Sequence, residues 1–195
     1  MTLIMLVLTK TPVKTKTANT WVTNADVKKQ LNIESTFTDD DDYIDTLIEV
    51  AYETVEDDCN ADFSDTSNVL EYDIDQPLDR IIRICQAPLR NLSKIEYKTD
   101  SGSYQTLDAS TYKVTEGFHW FTIELLSIPT ADWLKFTFTT GYTNTTYPKK
   151  LRHAVVLKAM ELFDTERSSY VVGTISTNIN TYGSLIAKHR RQYFG

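Results

Sequence analysis

The sequence predicts an α+β domain: N-terminal helices, a small antiparallel β-sheet, one long C-terminal helix and an extended basic tail. Two periodicities predict it. Apolar residues recur at three and four positions in 39–59 and again in 148–167, the spacing of a helix with one buried stripe. Between about 69 and 140 the period falls to two, as in strands with one face buried. The chain has 195 residues, 41% of them hydrophobic and 24% charged. That suffices for a core without a metal or disulfide staple.

Each element has its own signal. The start, MTLIMLVL, runs six large apolar residues together, Leu3 to Leu8. Six are too few to span a bilayer, which takes ~20. With no basic segment before them and no small-residue cleavage site after, a signal peptide is not expected. Exposed, the run would promote aggregation, so it is expected to add as a strand or to pack on a neighbouring subunit. Residues 9–20 are polar and β-branched, an extended arm.

Thr23, with Asp26 three positions later, forms a capping box for a short helix over 24–31 whose apolar positions are Val27 and Leu31. Thr38 or Asp39 is expected to cap a longer helix reaching Cys59, with Ile44, Leu47, Ile48, Ala51 and Val55 on its buried stripe. Short strands follow. Leu70, Tyr72 and Ile74 alternate with acids, 80–85 is a brief apolar run, and Pro88 makes a turn. Ile95 and Tyr97 alternate with charges ahead of a hairpin signal at 99–103. Tyr112 and Val114, then 118–126, then 133–140 continue the pattern to Gly141. Pro148 suits the first position of the long helix, which runs to about Arg167. Residues 168–182 read as a loop or β-arm, and 184–194 as a closing helix. The organisation is thus an N-terminal arm over 1–20, a core over 21–167 and a C-terminal arm over 168–195.

Charge is uneven. The net −7 conceals a block at 39–62 with eleven acids and no base, and a stretch at 148–195 with eight bases and three acids. No acid follows Glu166. Unlike ends of this kind suit head-to-tail association, or a solvated helix face beside a basic tail.

Chemistry is largely absent. Asp39, Asp40, Asp41 and Asp42 fail the calcium-loop pattern: the fifth position falls on Ile44, and Asp45 stands where Gly is required. Acids at a helix start instead complement its dipole. His119, His153 and His189 show no metal-ligand spacing, and Cys59 and Cys85 are expected to be unbridged thiols. The nucleophile-elbow and phosphate-loop motifs are missing. No catalytic residue, metal or cofactor is therefore assigned, and no membrane partner. Lys188, Arg190 and Arg191 with Tyr193 and Phe194 could grip a nucleic acid, but the net charge opposes it. Trp120, Phe121, Trp133, Phe136 and Phe138 sit at period two, as core does.

Four segments in this order resemble the head–tail connector (head completion, adaptor) proteins of tailed bacteriophages. They are DDDDYIDTLIEVAYETVEDDCNADF at 39–63, APLRNLSKIEYKTDSGSYQTLDASTYKV at 87–114, FTFTTGYTNTTYPKKLRHAVVLKAMELFDTER at 136–167, and SLIAKHRRQYF in the tail. The resemblance implies a non-catalytic structural virion protein, made in the host cytoplasm and placed at the neck. It implies a ring, usually of twelve copies, that binds the portal, extends the DNA channel and receives the next tail component. On that reading Arg167, Tyr170, Lys188, Arg190, Arg191, Tyr193 and Phe194 contact the portal or adjacent subunits. Asp39–Asp42 line the channel or pair with the basic region of the next subunit. The alternative is a small β-rich module that binds carbohydrate or a host surface.

Overall fold

The computed structural model describes residues 7–8, 13–18, 20–74, 80–99, 102–117, 120–143, 145–167 and 181–190; the side chains of 7–8 and 165–167 are left aside. The chain forms two compact units. One holds the strands before Ala18 together with Ser64–Tyr142, and the other holds Asn19–Phe63 and Thr143–Gln192. The architecture is α+β.

Among the described residues the strand unit has two antiparallel sheets; of the two arrangements the strand spacing allows, a single antiparallel sheet or a small sandwich, it takes the sandwich. The first contains β1 (Val7–Leu8), β2 (Val13–Lys16) and β3 (Thr66–Asp73). The second is built around β4 (Ile81–Ile84). β5 (Leu89–Lys98) and β6 (Gln105–Thr106) return to the first sheet, β7 (Tyr112–Glu116) and β8 (Phe121–Leu125) to the second, and β9 (Trp133–Thr140) to the first. The larger sheet runs β1-β3-β9-β5-β6, with β2 also on β3; the smaller runs β4-β8-β7. The split follows from apolar alternation in both halves: each sheet has one oily face, and the two oily faces cover each other. Leu70, Phe136 and Ile95 share one register row of the larger sheet. With Phe138 and Leu134 they pack in one core with Ile82, Ile84, Phe121, Ile123 and Leu125. Phe121 meets Phe138 edge-on at 5.2 Å.

β9 is central in its sheet and keeps the period-two pattern without a break, its Leu134, Phe136, Phe138 and Thr140 all fully buried. Buried Asn68 donates to Thr140 Oγ1 at 2.7 Å. Gly141 ends the strand at φ 95°, a backbone region open to glycine, and donates to the Pro88 carbonyl at 3.0 Å. Val13–Lys16 of the extended arm pair with β3, and Val7–Leu8 of the apolar run add to β3 as a strand, as expected.

The helical unit contains α1 (Asn24–Leu31), α2 (Asp41–Cys59), α3 (Lys149–Arg167) and α4 (Thr181–Ile186). The capping box on α1 is present. The cap of α2 is Asp40, not Thr38 or Asp39. The Thr38 carbonyl is spent on the Asp41 N–H in a preceding turn, and the Ile44 N–H is the first to close on Asp40. Pro148 stands just before α3, one place earlier than expected, and its carbonyl accepts the Arg152 N–H. The closing helix also lies earlier, at 181–186. It stops where the His189 and Arg190 N–H groups both turn back to the Ile186 carbonyl. The segment 168–180 lies outside the described residues.

Packing in this unit centres on Trp21. Its ring stacks on Tyr147 at 4.9 Å and on Phe63 at 5.8 Å, with Tyr52 edge-on at 6.0 Å. The Tyr52 hydroxyl accepts the Val22 N–H at 2.8 Å, and burial pushes its phenol up to about 12. Arg152 ties the start of α3 to this cluster, donating to the Trp21 carbonyl and pairing with Asp26, each at 2.7 Å. Cys59 is fully buried in the α2 stripe; it and Cys85 are unbridged.

Candidate functional site

α2 divides sharply into two faces. Ile44, Leu47, Ile48, Ala51, Val55 and Cys59 face the core of the helical unit. At 100° per residue, Asp42, Asp45, Glu49, Glu53 and Asp57 fall together on the opposite side, and all five are exposed. None of the five makes an ion pair among the described residues. Val50, 41% exposed, lies along the same face.

The Asp39–Asp42 run does not act as one group. Asp39 is exposed in the loop, Asp40 is the cap, and Asp41 pairs with Lys28. Only Asp42 joins the outer strip. Lys28 is almost wholly buried and also donates to the Phe37 carbonyl at 2.6 Å, so it joins α1 to the loop ahead of α2. Asn24 donates to the Asp41 carbonyl at 3.0 Å and to Asp45 at 3.3 Å. A cleft of about 600 Å³ opens there, walled by Asn24, Ala25, Lys29, Ser35, Asp41 and Asp45.

α3 has the opposite character at its start. Its first turn carries exposed Lys149 and Lys150 and no acid, with exposed His153 one turn on. Neither lysine makes an ion pair among the described residues. The helix N-terminus is the end at which cations are least favoured.

The expected tail contacts fare unevenly. Tyr170, Arg191, Tyr193 and Phe194 lie outside the described residues, as does His119, and the Arg167 side chain is left aside. Lys188 and Arg190 are exposed in the turn after α4. The stretch 181–190 folds onto the helical unit. Ile186 is fully buried, and the Tyr182 hydroxyl donates to Asp58 at 2.5 Å with Lys158 over its ring. Burial, then the Asp58 carboxylate, holds the Tyr182 phenol well above the ordinary tyrosine range. Among the described residues no group of three or more His, Cys, Asp or Glu side chains is placed to hold a metal ion, and no helix is long and apolar enough to cross a membrane. The aromatics singled out as core divide: Phe121, Phe136 and Phe138 are buried in it, while Trp120 and Trp133 lie half-buried under Arg83 and Lys98.

The sequence reading missed Lys28, the outer strip beyond Asp42, and the Lys149–Lys150 pair. The strip was detectable, since 45, 49, 53 and 57 are four apart. Lys28 was not, because nothing local marks a lysine for burial.

The family model described as phage gp6-like head-tail connector protein matches residues 23–114. The resemblance to head–tail connectors holds. The matched segment runs from the Thr23 cap of α1 through α2 and into β7, so it contains the whole acidic strip. No curated protein matches the chain. Similar solved structures come from gene transfer agent particles. A chain from the neck of an empty particle with C6 symmetry has a TM-score of 0.70 at 15% identity, covering 94% of this chain and 97% of that one. A chain from the virion of the native particle has 0.69 at 14% identity, covering 93% and 97%. A chain from the native neck with C12 symmetry has 0.65 at 15% identity, covering 94% and 97%. At these identities the likeness is one of fold. It extends over nearly the full length, beyond the segment that the family model matches.

Proposed function

We propose that this chain is a non-catalytic structural protein of a virion neck. Copies form a ring, twelve in number, that seats on the portal, extends the DNA channel and receives the next tail component. The match of residues 23–114 to the gp6-like connectors carries this reading. The solved relatives come from particle necks with C6 and C12 symmetry, which supports a ring of copies. The uneven charge supports it too, because a head-to-tail ring needs unlike surfaces on each copy.

On this reading the C-terminal arm at 168–195 makes docking contacts, with Arg167, Tyr170, Lys188, Arg190, Arg191, Tyr193 and Phe194 offered to the portal or adjacent subunits. DNA passes without sequence recognition. The test is light scattering after size exclusion, with negative-stain imaging, of the full chain alone and with portal-containing heads. Rings on the portal are expected. A chain that stays monomeric and does not join heads would falsify the proposal.

A further inference from the structure

We propose that the outer face of α2 is a docking surface for a second copy of this chain, which presents the Lys149–Lys150 start of its own α3. The inference rests on the ring reading and names the contact within it.

Two patches of opposite sign on the helical unit make no ion pair among the described residues. Asp42, Asp45, Glu49, Glu53 and Asp57 share one exposed face without a cation among them. Lys149 and Lys150 share one exposed turn without an acid. Each patch opposes its own helix. Carboxylates four residues apart repel, and cations at a helix N-terminus oppose its dipole. Within one copy the two patches do not relieve each other, for α2 and α3 turn their apolar faces inward and their charges out.

The signs decide the kind of contact. A two-fold contact through the α2 face would set carboxylates against carboxylates. A head-to-tail contact sets carboxylates against lysines, and repeated around an axis it closes a ring. The surface has more than charge. Val50 lies along the strip, 41% exposed, and supplies an apolar contact. At the N-terminal end of the strip, a cleft of about 600 Å³ is walled by Asp45 and Asn24 together with Lys28, Lys29 and the Lys28-paired Asp41, so the cationic contact is assigned to the strip and not to the cleft.

The test is a charge exchange in the full chain. One variant is E49K/E53K, another is K149E/K150E, and a third combines them. K149E/K150E places acids at a helix start, so it should fold at least as well as the parent; circular dichroism checks all three. Assembly is followed by light scattering over a range of salt, with portal-containing heads added as template. Each reversal alone should raise the concentration needed for rings roughly tenfold or more. The combination should restore assembly, and parent rings should weaken at about 1 M salt, where screening falls to ~3 Å. Parent rings indifferent to both reversals, or strengthened by salt as a strip lining a channel would be, overturn the contact alone. Reversals that the combined variant does not repair overturn it as well. A parent chain that forms no ring even on heads overturns the ring reading and the contact together.

Discussion

Two charged surfaces of this molecule differ in one respect, whether the charges are paired. On the larger sheet, the face turned away from the core carries Lys94, Glu96, Lys98 and Lys135 beside Glu71 and Tyr104. Glu96 sits between Lys94 at 2.9 Å and Lys135 at 3.2 Å. Lys98 lies over the Tyr104 and Trp133 rings at 4.9 and 4.8 Å, and Lys135 over Tyr104 at 4.8 Å. Burial, then the neighbouring Glu71 carboxylate, holds the Tyr104 phenol well above the ordinary tyrosine range. The outer face of α2 carries five carboxylates and no cation. The first surface pairs its charges within the chain, and the second, among the described residues, does not. Paired charge secures a fold, whereas unpaired charge of one sign costs the fold stability and stays available to a partner.

The largest expected effect lies on the paired surface. Glu96 is 8% exposed. Glu96→Ala leaves two ammonium groups without their shared acid over a half-buried sheet. Both lysines reach water in part, so the cost should fall below that of a fully buried pair, at about 1–3 kcal/mol. Chemical denaturation measures it. A loss under about 0.5 kcal/mol would show that the ladder is ornamental, and the comparison would fail.

The same carboxylate gives a pH test. Hydrogen bonding and charge from Lys94, then from Lys135, outweigh burial and hold Glu96 below the usual carboxylate range. Its folded pKa is therefore lower than its unfolded value of ~4.3. The stabilisation is fully present above that unfolded value and is lost as the pH falls through the folded one. Stability of the parent should drop over that acid window more than stability of Glu96→Gln. Parallel curves would remove Glu96 from the account.

Much of this was legible in the residues. The Thr23–Asp26 capping box, the α2 stripe and the unbroken alternation of 133–140 are local patterns, and local patterns survive folding. The strand spacing allowed a single sheet or a small sandwich, but not which strand joins which sheet, because β3, β5 and β9 meet through pairings distant in sequence that no window reveals. The ends of helices moved for a similar reason. Asp40 became the cap of α2 once the Thr38 carbonyl was taken by a turn. α4 is placed by burial of Ile186, which depends on α2 and α3 rather than on its own neighbours. At the candidate site the acidic block was plain from composition, but Asp41 belongs to buried Lys28 and leaves the strip. Only geometry separates the acids that hold the fold from the acids that face outward.

The smallest expected effect has the opposite sign and is the most discriminating. Glu49 and Glu53 are four apart, and each is four from another acid, Asp45 and Asp57. The variant E49Q/E53Q removes all three like-charge pairs while keeping side-chain length and nearly the same helix propensity. Each pair costs a helix about 0.2–0.5 kcal/mol, so stability should rise by about 0.5–1.5 kcal/mol. Ring assembly of the same variant should weaken, because the attraction to Lys149 and Lys150 is reduced. A more stable chain that assembles less well is the signature of a face kept for binding at the expense of the fold. If stability falls instead, the carboxylates have partners within the chain, and the contrast between the two surfaces disappears. If stability rises and assembly is unchanged, the strip is a solvated helix face, and the contact between copies lies elsewhere.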